Sequence, residues 1–281
     1  MVSFLKKVFL VIFVSMFLCG LLVFLLYIFQ DSILYHPLPR HTYQQKMKQQ
    51  LPLLKEVTYY LPTGEKLYAW YLRAKKGKPT IVYFHGNTGN VEGHTQRLIV
   101  QYFYNNGYGL LLPEYRGYGD LKGKPSQQHM QEDAVTAVKY LNGLDIKNHD
   151  IILYGHSMGT YMAIYTASQL GQKNPFNAVV LEAPFYSIAD TGRVHLGGWI
   201  PYHLLLKNKY PSYQHIKKIN TRLFIAHGKQ DTIIPFSEGF KLYQYAHKRK
   251  VFFASEKANH HNLAEHGLID SLSVWLKNNK H

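Results

Sequence analysis

Residues 8–29 carry no charged side chain, and only Ser15, Cys19 and Gly20 interrupt their apolar run. At about 1.5 Å per residue this run reaches roughly 33 Å as a helix, enough to cross a hydrocarbon core. Lys6 and Lys7 precede it, and Gln30-Asp31-Ser32-Ile33 after it offers no small-residue cleavage site. The pattern predicts an uncleaved transmembrane signal-anchor over residues 1–30. Residues 31–55 then turn polar, with Pro37, Pro39 and the stretch Gln44 to Gln50. They are expected to form a membrane-proximal tether to a domain at 56–281.

Downstream, short apolar runs alternate with segments of helical spacing. Runs at 56–61 and 66–72 flank the turn Pro62-Thr63-Gly64 and predict an antiparallel pair. Further strands are predicted at 80–84, 108–112, 151–154, 178–181, 222–226 and 250–253. Helices are predicted at 91–104, at 127–141, after residue 157, and at 263–276. Met130, Ala134, Val135, Val138 and Leu141 give the second of these its three-to-four spacing. Strand alternating with helix implies an α/β fold, a mostly parallel central sheet flanked by helices. The aromatic and apolar stretch around Phe185, Trp199, Ile200, Tyr202 and Tyr210 fits no strand slot. It is expected to be a small cap insertion, about residues 185–218, over the carboxyl ends of the strands, where open α/β sheets place their ligands.

Composition narrows the chemistry. The chain has 281 residues, 46% of them hydrophobic, and its single cysteine, Cys19, lies inside the apolar run. That excludes an internal disulfide, a cysteine nucleophile in the domain and a cysteine-based zinc site. A net charge of +15 can attract nucleic acid or an anionic bilayer. The cations are scattered and no nucleic-acid module is present, so the membrane is the expected partner and nucleic acid is not. Lys6 and Lys7 favour an amino terminus in the cytosol, although Arg40, Lys46 and Lys48 blunt the asymmetry. The domain at 56–281 is therefore expected on the non-cytoplasmic side of a single-pass anchor.

The most informative segment is Ile151-Ile152-Leu153-Tyr154-Gly155-His156-Ser157-Met158-Gly159. It places G-x-S-x-G between a strand and a helix, the context of a nucleophile elbow. Side chains two residues either side of so tight a turn would collide, which explains glycine at 155 and 159. A serine nucleophile needs an imidazole to take its proton and a carboxylate to orient that imidazole, in the chain order serine, acid, histidine. Asp231 follows the strand at 222–226 and is the expected acid, with Glu238 its rival. His260 and His261 both follow the strand at 250–253, and the residues alone leave the base open between them. The oxyanion donors are expected to be the backbone amides of Met158 and Asn87. His85 and His227 are expected to orient loops, and His156 to pack beside the elbow.

Together these segments resemble the α/β-hydrolase superfamily, and more closely its membrane-anchored Bem-type serine hydrolases. The matching blocks include Leu34-Tyr35-His36-Pro37, Phe84-His85-Gly86-Asn87-Thr88-Gly89-Asn90, Glu114-Tyr115-Arg116-Gly117-Tyr118-Gly119 and Leu153 to Gly159. Leu181 to Ile188, His227-Gly228 with Asp231 and Pro235, and the His260 block complete them. The resemblance implies a Ser157–Asp231–His260 triad, no metal or cofactor, and cleavage of an ester or thioester of a lipid or acylated substrate. Its terminal motif, a histidine with a glycine seven positions on, selects His260 through Gly267. A peptidase on the same fold is the alternative enzyme, and a tethered interaction protein the non-catalytic one.

Overall fold

The computed structural model describes residues 2–247 and 249–278. Helix α1 (Val2–Leu34) is followed by the two-residue strand β1 (His36–Pro37) and by α2 (His41–Gln50). Strands β2 (Lys55–Tyr60), β3 (Lys66–Leu72), β4 (Thr80–Phe84) and β5 (Thr88–Gly89) come next, then α3 (Val91–His94) and α4 (Leu98–Asn105). After β6 (Gly109–Pro113) and α5 (Gln127–Gly143), the elbow is made by β7 (Ile151–His156) and α6 (Met158–Leu170). Strand β8 (Ala178–Glu182) leads to three short helices, α7 (Ile188–Leu196), α8 (Tyr202–Leu205) and α9 (Ser212–Ile216). The chain ends with β9 (Leu223–Gly228), α10 (Phe236–Tyr245), β10 (Lys250–Ser255), a single 3₁₀ turn and α11 (Leu268–Asn278).

Eight strands form one sheet in the order β10-β9-β8-β7-β4-β6-β3-β2. All neighbours from β10 to β6 are parallel, and β3 and β2 add an antiparallel edge. The central strands are buried on both faces, so they read as unbroken apolar runs. Their side chains divide between two cores by strict alternation. Val82, Leu153, Val179 and Ile225 pack under α5 and α6, against Met130, Val138 and Ile164. Ile81, Ile152, Val180 and Phe224 pack on the other face, against Ile99, Phe103 and Leu272.

Three expectations need correction. The predicted helix at 91–104 is two helices, because Arg97 between them is extended (φ −66°, ψ 135°) and sends its guanidinium to the buried Glu182. The predicted last helix begins with a 3₁₀ turn and starts afresh after Gly267, whose φ of +92° no helix accommodates. The stretch at 31–55 is not a free tether. Tyr35, Met47, Leu51 and Leu54 are buried in the domain, and β1 pairs in parallel with β5. Those few apolar positions are masked by the polar residues around them.

Helix α1 has 33 residues and is about 50 Å long. Its segment Phe4–Leu34 is long and apolar enough to cross a membrane, and none of its most apolar stretch is buried in the protein. It fits a single-pass anchor.

Candidate active site

The sheet reverses direction between β4 and β7: the chain runs outward from β4 to β6, then returns to place β7 on the other side of β4. Loops leaving two such strands diverge and open a crevice at their carboxyl ends. Ser157 stands at the end of β7, and Asn87 follows the end of β4. Asp231 and His260 follow β9 and β10 along the same edge.

Local sterics account for the elbow. Ser157 has φ +54° and ψ −123°, a strained conformation for a residue with a side chain. A Cβ at Gly155 would lie 2.4 Å from the Gly159 carbonyl oxygen, and one at Gly159 would lie 2.0 Å from that of Phe84. Only glycine at both positions lets the turn close against β4. The Ser157 amide donates to the Glu182 carbonyl at 2.9 Å, pinning the turn to β8.

The side chains meet as a hydrogen-bonded chain. The Ser157 hydroxyl lies 2.9 Å from His260 Nε2, and His260 Nδ1 donates to Asp231 Oδ2 at 2.7 Å. All three residues are buried. Asp231 Oδ1 accepts the Ile233 and Ile234 amides, both at 2.9 Å. Burial works to raise the Asp231 carboxyl, yet hydrogen bonds from His227 and His260 outweigh it and hold the group well below the usual carboxylate range. Gly228 lets the two loops approach, since a Cβ there would meet the Ala258 carbonyl at 2.1 Å. The Gln230 amide donates to that same carbonyl at 3.0 Å.

The alternatives fall elsewhere. His261 is exposed, its ring centroid 5.0 Å from that of His260, and its amide donates to Asn259. Glu238 sits in α10 and accepts the Tyr186 amide at 3.1 Å. The backbone N–H groups of Asn87 and Met158 donate to no group among the described residues. Gly86 brings the Asn87 loop beside the serine, where a Cβ would lie 3.4 Å from Ser157 Cβ.

Four supporting groups were given smaller roles, or none, by the sequence. His227 lies with Nε2 3.3 Å from Asp231 Oδ2 while donating to the Ile234 carbonyl at 2.9 Å, so it braces the acid itself. His156 donates from Nε2 to the His260 carbonyl at 3.3 Å. Burial, then the nearby Arg97 charge, pushes its imidazole well down, which keeps it neutral. Glu114 accepts from His85 Nε2 and from the Val91 and Tyr115 amides, fixing the Asn87 loop from below. Glu182, the β8 residue whose carbonyl pins the elbow, binds Tyr154 and Arg97. A histidine before glycine at the end of β9, four residues ahead of the acid, was the available signal for His227. Among the described residues no three His, Cys, Asp or Glu side chains are grouped to hold a metal.

The switch-point crevice and its elbow define an α/β enzyme of hydrolase architecture. Residues 75–210 match the family described as serine aminopeptidase, S33. An uncharacterised protein of Mycobacterium tuberculosis is 30% identical over 215 residues, covering 75% of this chain and 74% of that protein. The lysophosphatidylserine lipase ABHD12 of Danio rerio is 29% identical over 195 residues, 64% of this chain and 51% of its own length. The chain thus matches about half of that relative. An esterase of Pyrococcus furiosus superposes with a TM-score of 0.67 at 18% identity, over 87% of this chain and 98% of its own. The chain belongs to the α/β-hydrolase superfamily.

Proposed function

We propose that this protein is a membrane-anchored serine hydrolase that cleaves acyl esters or thioesters presented at a bilayer. The observation that carries the reading is the continuous hydrogen-bonded chain from Ser157 through His260 to Asp231. In the reaction His260 Nε2 takes the Ser157 proton as the hydroxyl oxygen attacks the acyl carbonyl. The Met158 and Asn87 amides stabilise the oxyanion, and the strained turn holds the nucleophile in place throughout. His260 then returns the proton to the leaving alcohol or thiol. A water, deprotonated by the same imidazole, releases the acyl group from Ser157. Asp231 stays ionised and holds His260 with Nε2 toward the serine.

The lipid part of the proposal rests on three supports. Helix α1 fits an anchor, and the ABHD12 relatives carry the description lysophosphatidylserine lipase. A cleft of about 800 Å³ beside the end of α1 is lined by Arg193, Lys207, Lys209 and Lys241 against the single carboxylate Asp190. Such a surface suits an anionic lipid. We place the domain on the non-cytoplasmic side, following the lysines ahead of the anchor.

A peptidase is the second reading, favoured by the description of the matched family. Hydrolysis of acyl esters of graded chain length, of lysophospholipids and of aminoacyl amides by the full chain in vesicles separates the two. Turnover of the acyl esters, lost in Ser157→Ala, is the expected result. Turnover of the amides alone would replace the proposal with the peptidase.

A further inference from the structure

Helix α1 does not end clear of the enzyme. Its last turn binds the end of α8 and the segment after it on one side and the Asn87 loop on the other. Gln30 donates from Nε2 to the Leu205 carbonyl at 3.2 Å and accepts the Lys207 amide at 2.8 Å. Asn208 donates to Asp31 at 2.7 Å, and the Tyr35 and Tyr210 hydroxyls share a hydrogen bond of 2.6 Å.

The contacts to Asn87 are more specific. Asn87 Nδ2 donates to the carbonyl of Leu34, the last residue of α1, at 2.6 Å. The His36 amide donates to the Asn87 carbonyl at 2.9 Å, and the Tyr118 hydroxyl reaches the same oxygen at 2.7 Å. Strand β1 then runs beside β5 through the pairs His36 with Thr88 and Pro37 with Gly89. A carbonyl at a helix carboxyl end ordinarily goes to water or to a local cap. At Leu34 it is satisfied by the side chain of the residue that the Proposed function makes an oxyanion donor.

This geometry fixes a direction. With the Asn87 side chain held by Leu34 and its carbonyl held by His36 and Tyr118, rotation about the φ and ψ of Asn87 is restrained on both sides. The direction of its N–H follows. The Gly86 carbonyl, in the same peptide plane as that N–H, lies 2.7 Å from His85 Nδ1, so His85 holds the plane from one side and the clamp from the other. We infer that the carboxyl-terminal turn of the apolar helix is a positioning element for the Asn87 amide, so that the exit of the anchor and the reaction centre form one unit. The inference rests on the roles proposed above for Ser157 and Asn87. A displacement of about 1 Å at a reacting group can cost on the order of 10²-fold in rate, which is the leverage such a clamp provides.

The test uses the full chain in phospholipid vesicles, with Asn87→Ala, which keeps the amide but loses the bond to Leu34, and Tyr118→Phe, which loses the bond to the carbonyl. For Asn87→Ala, kcat on a p-nitrophenyl acyl ester is expected to fall at least about tenfold with KM within about twofold. Affinity for an alkyl trifluoromethyl ketone, which forms an oxyanion adduct with a nucleophilic serine, should fall in proportion to kcat/KM. Tyr118→Phe should act in the same direction and more weakly. A wild-type kcat in Asn87→Ala would overturn the inference, as would a loss confined to the melting midpoint with ketone affinity retained. Fluorophosphonate labelling of wild type is the independent control. If wild type does not label, the serine-hydrolase reading fails; if it labels and Asn87→Ala turns over normally, only the clamp fails.

Discussion

His260 and His261 are adjacent in the chain and differ in environment. His260 is buried between Asp231 and Ser157, whereas His261 is exposed. His260→Ala is expected to lower kcat by about 10⁴-fold or more, while His261→Ala stays within a few-fold, measured on one acyl ester. Asp231→Asn should cost about 10⁴ in kcat, because an amide no longer selects the working tautomer of His260. Asp231 also carries a pH signature. Its carboxyl titrates below the ordinary value of 3.8 when folded, so its stabilisation is complete above that pH and fades as pH falls further. The difference in melting midpoint between wild type and Asp231→Asn should hold constant from about pH 5 to 8 and shrink below about pH 4. At this scale the sequence was legible where chemistry is tied to strand ends. Ser157, Asp231 and His260 each follow a predicted strand, and their side chains meet. His227 was underread because its effect on Asp231 depends on two loops closing over each other, which no local pattern records.

Elements whose shape is set by backbone contact were the most readable. Glycine at 155 and 159 was expected from collision alone, and the distances from added Cβ atoms to Gly159 and Phe84 carbonyls bear that out. Gly159→Ala is predicted to destabilise the fold by about 2–3 kcal/mol or more, read by thermal unfolding. Gly143→Ala, at the end of α5 with nothing within 4 Å of an added Cβ, should change stability by less than about 1 kcal/mol. The strands of the central sheet fall within one or two residues of the predicted ones, because burial on both faces leaves unbroken apolar runs. The stretch at 31–55 misled because its order comes from tertiary contact. Tyr35 and Met47 are anchored in cores built mostly from distant residues. The helix break at Arg97 has the same origin, a side chain drawn to Glu182 across 85 residues of sequence.

For the molecule as a whole, anchor, segment 205–210 and Asn87 loop converge on one end of the sheet. In the proposed function, a charge of +15 and a basic cleft at the foot of α1 favour an anionic surface at that end. A reporter fused to the carboxyl terminus should report the non-cytoplasmic side, and a cytosolic signal would reverse the placement. The central claim is that Ser157 is a nucleophile activated by His260. Its most direct test is labelling of the full chain in vesicles by a fluorophosphonate probe, with the modified residue located by peptide mass spectrometry. The account predicts one adduct, on Ser157, absent in Ser157→Ala and strongly reduced in His260→Ala. A folded wild-type protein that takes no label, or takes it at another residue, would contradict it.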